Sequence, residues 1–272
     1  MLECVINVSE GRDESIIDGL RGVAGRSLLD LHHDRRHNRS VLTLAGPDVE
    51  SAARAVSALG VHTIDLRAHA GAHPRLGAVD VVPFVPLNGS TMTDAVAARD
   101  RFASWAANEL GVPCFLYGPE RSLPEVRRSA FQSLLPDVGP AARHPTAGAI
   151  CVGARPVLIA YNVWLVPGTD VSVASEIASA VRGHAVRALG LDLEGLAQVS
   201  MNLVDWKVVG PAEAYDAVAE SAQSRGTGVS AAELVGLMPE AALLAISEER
   251  WGDLGLSRAQ TIEACLRRAG LV

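Results

Sequence analysis

The sequence predicts a fold that combines helices with β-sheets, of the α/β or α+β class. Of its 272 residues, 49% are hydrophobic but only 4% are aromatic. Ala, Val, Leu and Gly therefore dominate, as in proteins whose helices pack closely on sheets of small branched residues. Segments with strand character also alternate along the chain with segments of helical period. A chain of this size can bury a substantial core, as one large domain or two small ones.

In the first half of the chain, the predicted elements begin with the order β-α-β-β-α-β. The predicted strands are residues 4–8, 27–31, 40–44, 79–85 and 114–117, and the predicted helices are residues 13–23, 48–66 and 93–110. Asp13 is positioned to cap the first helix with its carboxylate. The polar run at residues 32–39 is predicted to be a loop, because it carries too many charges for a core.

The second half repeats this plan loosely, after a proline-punctuated linker at residues 139–153. Its predicted elements are a strand from residue 157 to 163, a helix from 171 to 189, a strand from 197 to 203, a helix from 211 to 225 and a terminal helical region. We place the boundary near Arg155, which predicts two domains, residues 1–154 and 155–272.

Net charge and cysteine content indicate which classes of function are not expected for this protein. The net charge is -7 and no basic run is present, so the protein is not expected to bind nucleic acid. Four widely separated cysteines, without the close pairs of a zinc site, are predicted to be reduced core residues: Cys4, Cys114, Cys151 and Cys265. No segment has the length and apolarity of a membrane span or a signal peptide. We therefore expect a cytoplasmic protein that binds small molecules, with no membrane partner and no metal.

The loop at residues 69–80 is the strongest candidate for chemistry, since it places polar residues directly before a strand. Pro74 disfavours helical geometry at His73, so the spacing of His69 and His73 is not by itself evidence for a helical metal-binding pair. An imidazole in such a loop can accept and return a proton at neutral pH, and Arg75 can hold a substrate carboxylate. The alternative is that His73 and Arg75 satisfy turn carbonyls and a neighbouring aspartate. The pattern alone leaves both open.

Several motifs resemble those of one family. The clearest are ECVINVSEG at residues 3–11 and GAHPRLGAVD at residues 71–80, and the others, in chain order, are Asn38-Arg39, LYG at 116–118, Gly139-Pro140, GAR at 153–155, AQVSMNL at 197–203 and ELVGL at 233–237. Because several motifs occur in the same order, the chain is identified as a member of the formiminotransferase family, the transferase part of the formiminotransferase-cyclodeaminases.

This resemblance implies a fold and an activity. It implies two ferredoxin-like α+β subdomains, with outer helices and with β-sheets that face one another around a groove, usually within a homodimer. It also implies the transfer of a formimino group from formiminoglutamate to tetrahydrofolate, which serves as a co-substrate. That reaction belongs to histidine catabolism and one-carbon metabolism.

The resemblance also implies site residues. The catalytic histidine of the family falls on His73, and Arg75 and His32 complete the predicted catalytic set. The predicted folate-binding residues are Gly139, Pro140, Ala141, Ala142, Arg143, His144, Pro145, Thr146, Ala147 and Gly148, together with Asn38, Arg39 and Asn202. For Arg39 the alternative is a structural ion pair, which is common and individually weak at a surface.

The sequence departs from the family pattern in three places. One is the loop around His184 to Glu194, which is shorter than in the family and lacks its lysine pair, so that a preference for polyglutamate is expected to be weak or absent; the other two lie in the predicted site. His32 stands where the family normally has an aspartate that can stabilise a formamidinium cation, and Asp34 is a potential substitute. Ala147 stands where an aromatic residue commonly flanks the folate. These departures keep open a different formimino or formyl donor or acceptor, and a non-catalytic protein that binds a folate-like ligand. A metallohydrolase is a further alternative, with ligands drawn from His32, His33, Asp34, His37, His69 and His73.

Overall fold

Two separate β-sheets organise the chain, one of six strands and one of four. They belong to two units, Met1–Pro156 and Val157–Val272, and each unit has its own hydrophobic core. The computed structural model describes every residue from Met1 to Val272. Helices accompany each sheet, so the predicted α+β class with two subdomains is confirmed.

The first unit contains six strands and four helices. In chain order they are β1 (Leu2–Val8), α1 (Glu14–Ala24), β2 (Leu28–Asp34), β3 (Arg39–Ala45), α2 (Val49–Thr63), β4 (Val79–Pro86), α3 (Met92–Leu110), β5 (Cys114–Tyr117), α4 (Leu123–Ser129) and β6 (Ile150–Ala154). The strand order is β2-β3-β1-β4-β6-β5. The first four strands pair antiparallel, whereas β6 pairs parallel with both β4 and β5.

Strand alternation separates the two faces of this sheet. Cys4, Ile6 and Val8 on β1 lie in the main core with the inner faces of α1, α2 and α3. On β5, Cys114 belongs to that core, whereas Phe115 packs in a second cluster with residues of α4. Successive side chains of a strand point to opposite faces. Helix α4 therefore covers the face opposite to the other three helices.

The second unit has the same strand order on a smaller scale. Its elements are β7 (Ile159–Leu165), α5 (Val171–Val181), β8 (Val186–Asp192), β9 (Ala197–Leu203), α6 (Pro211–Gln223), β10 (Val229–Val235), α7 (Glu240–Leu244) and α8 (Ile262–Arg268). The sheet order β10-β7-β9-β8 corresponds to β4-β1-β3-β2 of the first unit. Both orders are consistent with ferredoxin-like halves.

Several predictions made from local sequence signals are confirmed by the structure. The carboxylate of Asp13 caps α1 by accepting hydrogen bonds from the backbone N–H groups of Ser15 and Ile16, at 2.9 and 3.3 Å. The strands Cys114–Tyr117 and Ala197–Leu203 have the predicted bounds. All four cysteines are buried and none forms a disulfide, as predicted. No helix in the structure is both long and apolar enough to cross a membrane.

Three of the predicted boundaries were wrong. The predicted linker contains most of β6, whose five residues are all buried between β4 and β5. The predicted helix at 171–189 ends at Val181, and Val186–Asp192 forms β8 instead. The predicted terminal helical region begins with β10, an edge strand. In each case the residues gain their backbone partners from a neighbouring strand, which a local pattern does not reveal.

The predicted loop at residues 32–39 was also wrong in part. Strand β2 continues to Asp34, and β3 begins at Arg39, so the connecting turn has only four residues. The side chains of His37, Asn38 and Arg39 are buried despite their polarity. Buried polar groups are tolerated when they are hydrogen-bonded or paired. The partners of Asn38 and Arg39 form part of the site described next.

Candidate active site

The loop before β4 is held against the predicted folate-binding segment by backbone hydrogen bonds. Ala78 donates its N–H to the carbonyl of Ala147 at 2.9 Å, and Ala149 donates to that of Leu76 at 3.0 Å. A Cβ atom on Gly77 would overlap the carbonyl oxygen of Ala149, so only glycine allows this approach. The structure therefore brings the two predicted segments side by side.

Asp80 connects this loop to two distant elements. Its carboxylate is fully buried and accepts hydrogen bonds from the N–H of Leu76 at 2.7 Å, from Arg39 Nη1 at 2.9 Å and from Arg127 Nη2 at 2.6 Å. Burial alone would raise the pKa of Asp80, but the two guanidinium groups lower it below its usual range. The carboxylate is therefore ionised, and it joins the loop to β3 and α4.

Arg39 and Arg127 retain their charge beside this carboxylate. Burial lowers the pKa of Arg39 while Asp80 opposes the shift. For Arg127, burial also acts to lower the pKa, but the charge of Asp80 and the hydrogen bond to it act in the opposite direction, and the pKa is raised overall. The predicted alternative for Arg39, an ion pair, is present in the structure. Arg39 Nε also donates to Asn7 Oδ1 at 3.1 Å, and Arg127 Nη1 donates to the carbonyl of Pro74 at 3.2 Å. We call Arg39, Asp80 and Arg127 the arginine–aspartate cluster.

His73 is half-buried beside this cluster, with its ring oriented by the next residue. Its Nδ1 lies 2.8 Å from the carbonyl oxygen of Pro74. A carbonyl can only accept a hydrogen bond, so Nδ1 carries the proton and Nε2 keeps its lone pair. Burial, with a further contribution from Arg39, lowers the pKa of His73 to about 3. The imidazole is therefore neutral at pH 7, with a free acceptor nitrogen.

Arg75 stabilises the loop from inside. Its Nη2 donates to the carbonyls of His73 and His37, at 2.8 and 3.2 Å, and its Nη1 contacts the ring of His69 at 2.6 Å. Nε also donates to the carbonyl of His73. These contacts favour the alternative in which Arg75 satisfies turn carbonyls. Burial, followed by repulsion from Arg75, lowers the pKa of His69.

Asn38 supports the same loop from the turn between β2 and β3. Its backbone is left-handed, with φ of 47°, a conformation that asparagine tolerates better than most residues. Its Oδ1 accepts from the N–H of Gly11 at 3.0 Å, and its Nδ2 donates to the carbonyl of Ala70 at 3.0 Å. The side chain of this predicted ligand residue therefore ties three backbone segments together.

The remaining predicted residues are more dispersed. His32 lies opposite Val41 in the sheet, on the same face as Arg39. Asn202 belongs to the second unit, at an exposed position of β9. Ala147 is in the main core, so its side chain offers no surface on which a ring can stack.

The segment from Gly139 to Gly148 is exposed at its start and buried at its end. The guanidinium of Arg143 lies 4.6 Å from the centre of the Phe131 ring. His144 Nδ1 accepts a hydrogen bond from the N–H of Ala147 at 3.0 Å, which shapes the turn that follows. The segment thus presents its first residues, rather than its last ones, to a ligand.

Sequence reasoning missed Arg127 and underrated Asp80. Arg127 follows Asp80 by 47 residues and lies on a short helix that was not predicted. Ser122 and Glu125 form a capping box at the start of that helix, a signal from which the helix could have been found. Nothing local indicates the pairing with Asp80. No group of three histidine, cysteine or carboxylate side chains is arranged to hold a metal ion.

Two family models match the chain. Residues 1–155 match the model of the formiminotransferase domain, N-terminal subdomain, and residues 160–271 match that of the formiminotransferase domain. The chain belongs to the formiminotransferase family. Its matched ranges include His73, Arg127 and the rest of the site described above.

Curated relatives support the same family. A glutamate formimidoyltransferase of Streptococcus pyogenes is 37% identical over 277 residues, covering 91% of this chain and 92% of the relative. One of Thermoplasma acidophilum is 34% identical and covers 99% and 98%. A formimidoyltransferase-cyclodeaminase of Sus scrofa is 37% identical, but the match spans only 51% of that longer protein. The similarity therefore concerns the transferase part of the bifunctional relatives.

Proposed function

We propose that this formiminotransferase transfers a formimino group from formiminoglutamate to tetrahydrofolate. The relatives named glutamate formimidoyltransferase support this activity. The observation that carries the proposal is the state of His73, which is neutral, oriented through Nδ1 and free to accept a proton at Nε2. We also propose that residues 1–154 and 155–272 correspond to the N- and C-terminal subdomains of the family.

In the proposed reaction, a ring amine of the reduced folate attacks the formimino carbon. A carbon–nitrogen bond to folate forms, and the resulting tetrahedral adduct collapses as the carbon–nitrogen bond to glutamate breaks. Nε2 of His73 takes the proton from the attacking amine and delivers it to the leaving amine, so no net proton is consumed. Proton transfer by a positioned side chain contributes about 10²–10⁴-fold in rate.

The surrounding residues fix the imidazole for this role. The neutral form is the one that can accept a proton, and it is the form present at pH 7 because burial lowers the pKa of His73. Arg75 and Asn38 hold the backbone of the loop, which keeps the imidazole in place for both transfers. We propose that the segment from Gly139 to Gly148 contributes to folate binding.

His73→Asn tests this proposal directly. We expect turnover to fall by at least about 10²-fold, since the proton carrier is lost, while stabilisation by tetrahydrofolate against heat persists. His62→Asn, at an exposed site on α2, is the matched control and should behave like the parent. A folded His73→Asn variant with full turnover would remove His73 from the mechanism.

A second candidate function keeps the fold but changes the donor or the acceptor. Its support is His32, an imidazole on the site-side face of the sheet where the family normally has a carboxylate. A screen of formimino and formyl donors with tetrahydrofolate distinguishes the two functions. We further propose that the protein acts in the cytoplasm as a homodimer, which light scattering of the purified protein tests.

A further inference from the structure

The arginine–aspartate cluster is not electrically balanced. It contains two guanidinium groups and one carboxylate, and neither Arg39 nor Arg127 forms an ion pair with any other acidic residue. Only 10% of the Arg39 side chain and 19% of the Arg127 side chain are exposed. A charge withdrawn from water is costly unless it is paired. The surplus positive charge is therefore a site for an anion.

Both arginines have donors left for that anion. Arg39 uses Nε and Nη1, and Arg127 uses Nη1 and Nη2, which leaves Arg39 Nη2 and Arg127 Nε without a protein acceptor. Neither nitrogen is among the fully buried unsatisfied atoms of the protein, so both reach its surface. Arg75, by contrast, directs its donors to backbone carbonyls and the His69 ring.

The surplus charge lies beside His73, and this position indicates which of the two substrate carboxylates it binds. The carbonyl oxygen of Pro74 accepts from His73 Nδ1 at 2.8 Å and from Arg127 Nη1 at 3.2 Å, so these two side chains are neighbours. In formiminoglutamate, the α-carboxylate is attached to the carbon that bears the leaving nitrogen, whereas the side-chain carboxylate is three carbons away from that nitrogen-bearing carbon. A histidine that protonates the leaving nitrogen therefore has the α-carboxylate close beside it.

We propose that Arg127, together with Arg39, binds the α-carboxylate of the amino-acid donor. Asp80 holds the two guanidinium groups in place and neutralises one of them, which leaves one charge for the substrate. This inference rests on the proposed function, and it assigns the carboxylate to this cluster instead of Arg75. The enzyme then selects donors derived from α-amino acids over formimino compounds of simple amines.

The test compares two donors in two variants. The donors are formiminoglutamate and its analogue in which the α-carboxylate is a carboxamide; the variants are Arg127→Met and Arg128→Met. Arg128 is exposed on the same helix and forms no ion pair, so it is a matched control. We expect Arg127→Met to raise KM for formiminoglutamate about 10- to 100-fold, the range for a lost charge-assisted hydrogen bond. The amide donor should be affected little, and Arg128→Met should match the parent.

Other outcomes would overturn the inference. An equal loss with both donors, mainly in kcat, would mean that Arg127 only positions Pro74 and His73. If Arg127→Met does not fold, the thermal shift of the parent decides: glutamate should stabilise it clearly more than isoglutamine, which has the α-carboxamide. Equal shifts would refute the carboxylate site. A parent that turns over no formiminoglutamate, yet prefers glutamate over isoglutamine, would instead contradict the proposed function alone.

Discussion

The two sheets share a strand order but differ in the groups that hydrogen-bond a carboxylate in each. In the first unit, Asp80 on β4 is bound by the guanidinium groups of Arg39 and Arg127. In the second unit, Glu233 on the corresponding strand β10 accepts hydrogen bonds from the side-chain amides of Asn162 and Gln198, at 3.0 and 3.3 Å. One cluster therefore has a surplus positive charge, and the other a surplus negative charge.

The two units therefore share a strand order but not the charge of their carboxylate clusters. Both carboxylates lie on the strand next to the first strand of their unit, and both have polar partners on neighbouring elements. Amides satisfy a carboxylate without changing its charge, whereas two guanidinium groups reverse the charge of the cluster. The first unit is thereby suited to an anionic substrate and to a neutral histidine. The second unit has no arginine in its cluster.

The largest expected effect is the loss of protein stability when the carboxylate of the arginine–aspartate cluster is replaced. Asp80→Asn should lower the free energy of unfolding by about 3–5 kcal/mol, because it leaves two guanidinium groups without their partner. Glu233→Gln should cost only about 1 kcal/mol, since its amide partners still find an acceptor. Urea denaturation of both variants measures the difference. Equal losses would show that the two carboxylates have the same structural importance.

A smaller effect is expected at Arg75. Arg75→Ala leaves the carbonyls of His37 and His73 without their donor and should cost about 1–3 kcal/mol. Since the loop then holds His73 less firmly, kcat should fall more than KM rises. Arg67→Ala, which removes an exposed ion pair with Asp65, is the control and should leave the melting temperature nearly unchanged. A rise in KM alone would instead restore Arg75 as a substrate ligand.

The smallest expected effect is on the pH dependence of stability. The pKa of His73 is about 3 in the folded protein, against an ordinary value of 6.5. Between these values position 73 binds more protons in the unfolded chain than in the folded protein, so the contribution of His73 to stability is unchanged above pH 6.5 and falls as the pH decreases toward 3. His73→Asn should reduce this fall, measured as the shift of the urea midpoint between pH 7.5 and pH 5. An unchanged shift would mean that His73 titrates normally.

The sequence predicted those features that depend on nearby residues. Helix α3 and the strands Cys114–Tyr117 and Ala197–Leu203 have strong periodicity, and the loop with His73 combines polar residues with glycines at sites of close approach. Strand β8 was missed because the apolar residues Val186, Ala188 and Leu189 also fit a helical pattern. Strand β6 was missed because it follows a segment rich in proline and glycine.

The site was less predictable than the fold, for a physical reason. His73 could be found from its loop, but the charge around it depends on Arg127, which tertiary structure brings from 47 residues beyond Asp80. The pattern also could not show that Arg75 directs its donors to backbone carbonyls, whereas Arg39 and Arg127 each keep a donor without a protein acceptor. The direction of a long side chain is decided by packing, which has no local signature.

The reach of Asp80 along the chain has a consequence for folding. Its partners lie 41 residues before it and 47 residues after it. Contacts between distant residues require long loops to close, and they form late in domains rich in them. A chain that has made its helices and its first hairpins therefore still lacks the cluster beside His73. After dilution from denaturant, the return of enzymatic turnover should trail the return of the circular dichroism signal, so turnover reports when the first unit has closed completely.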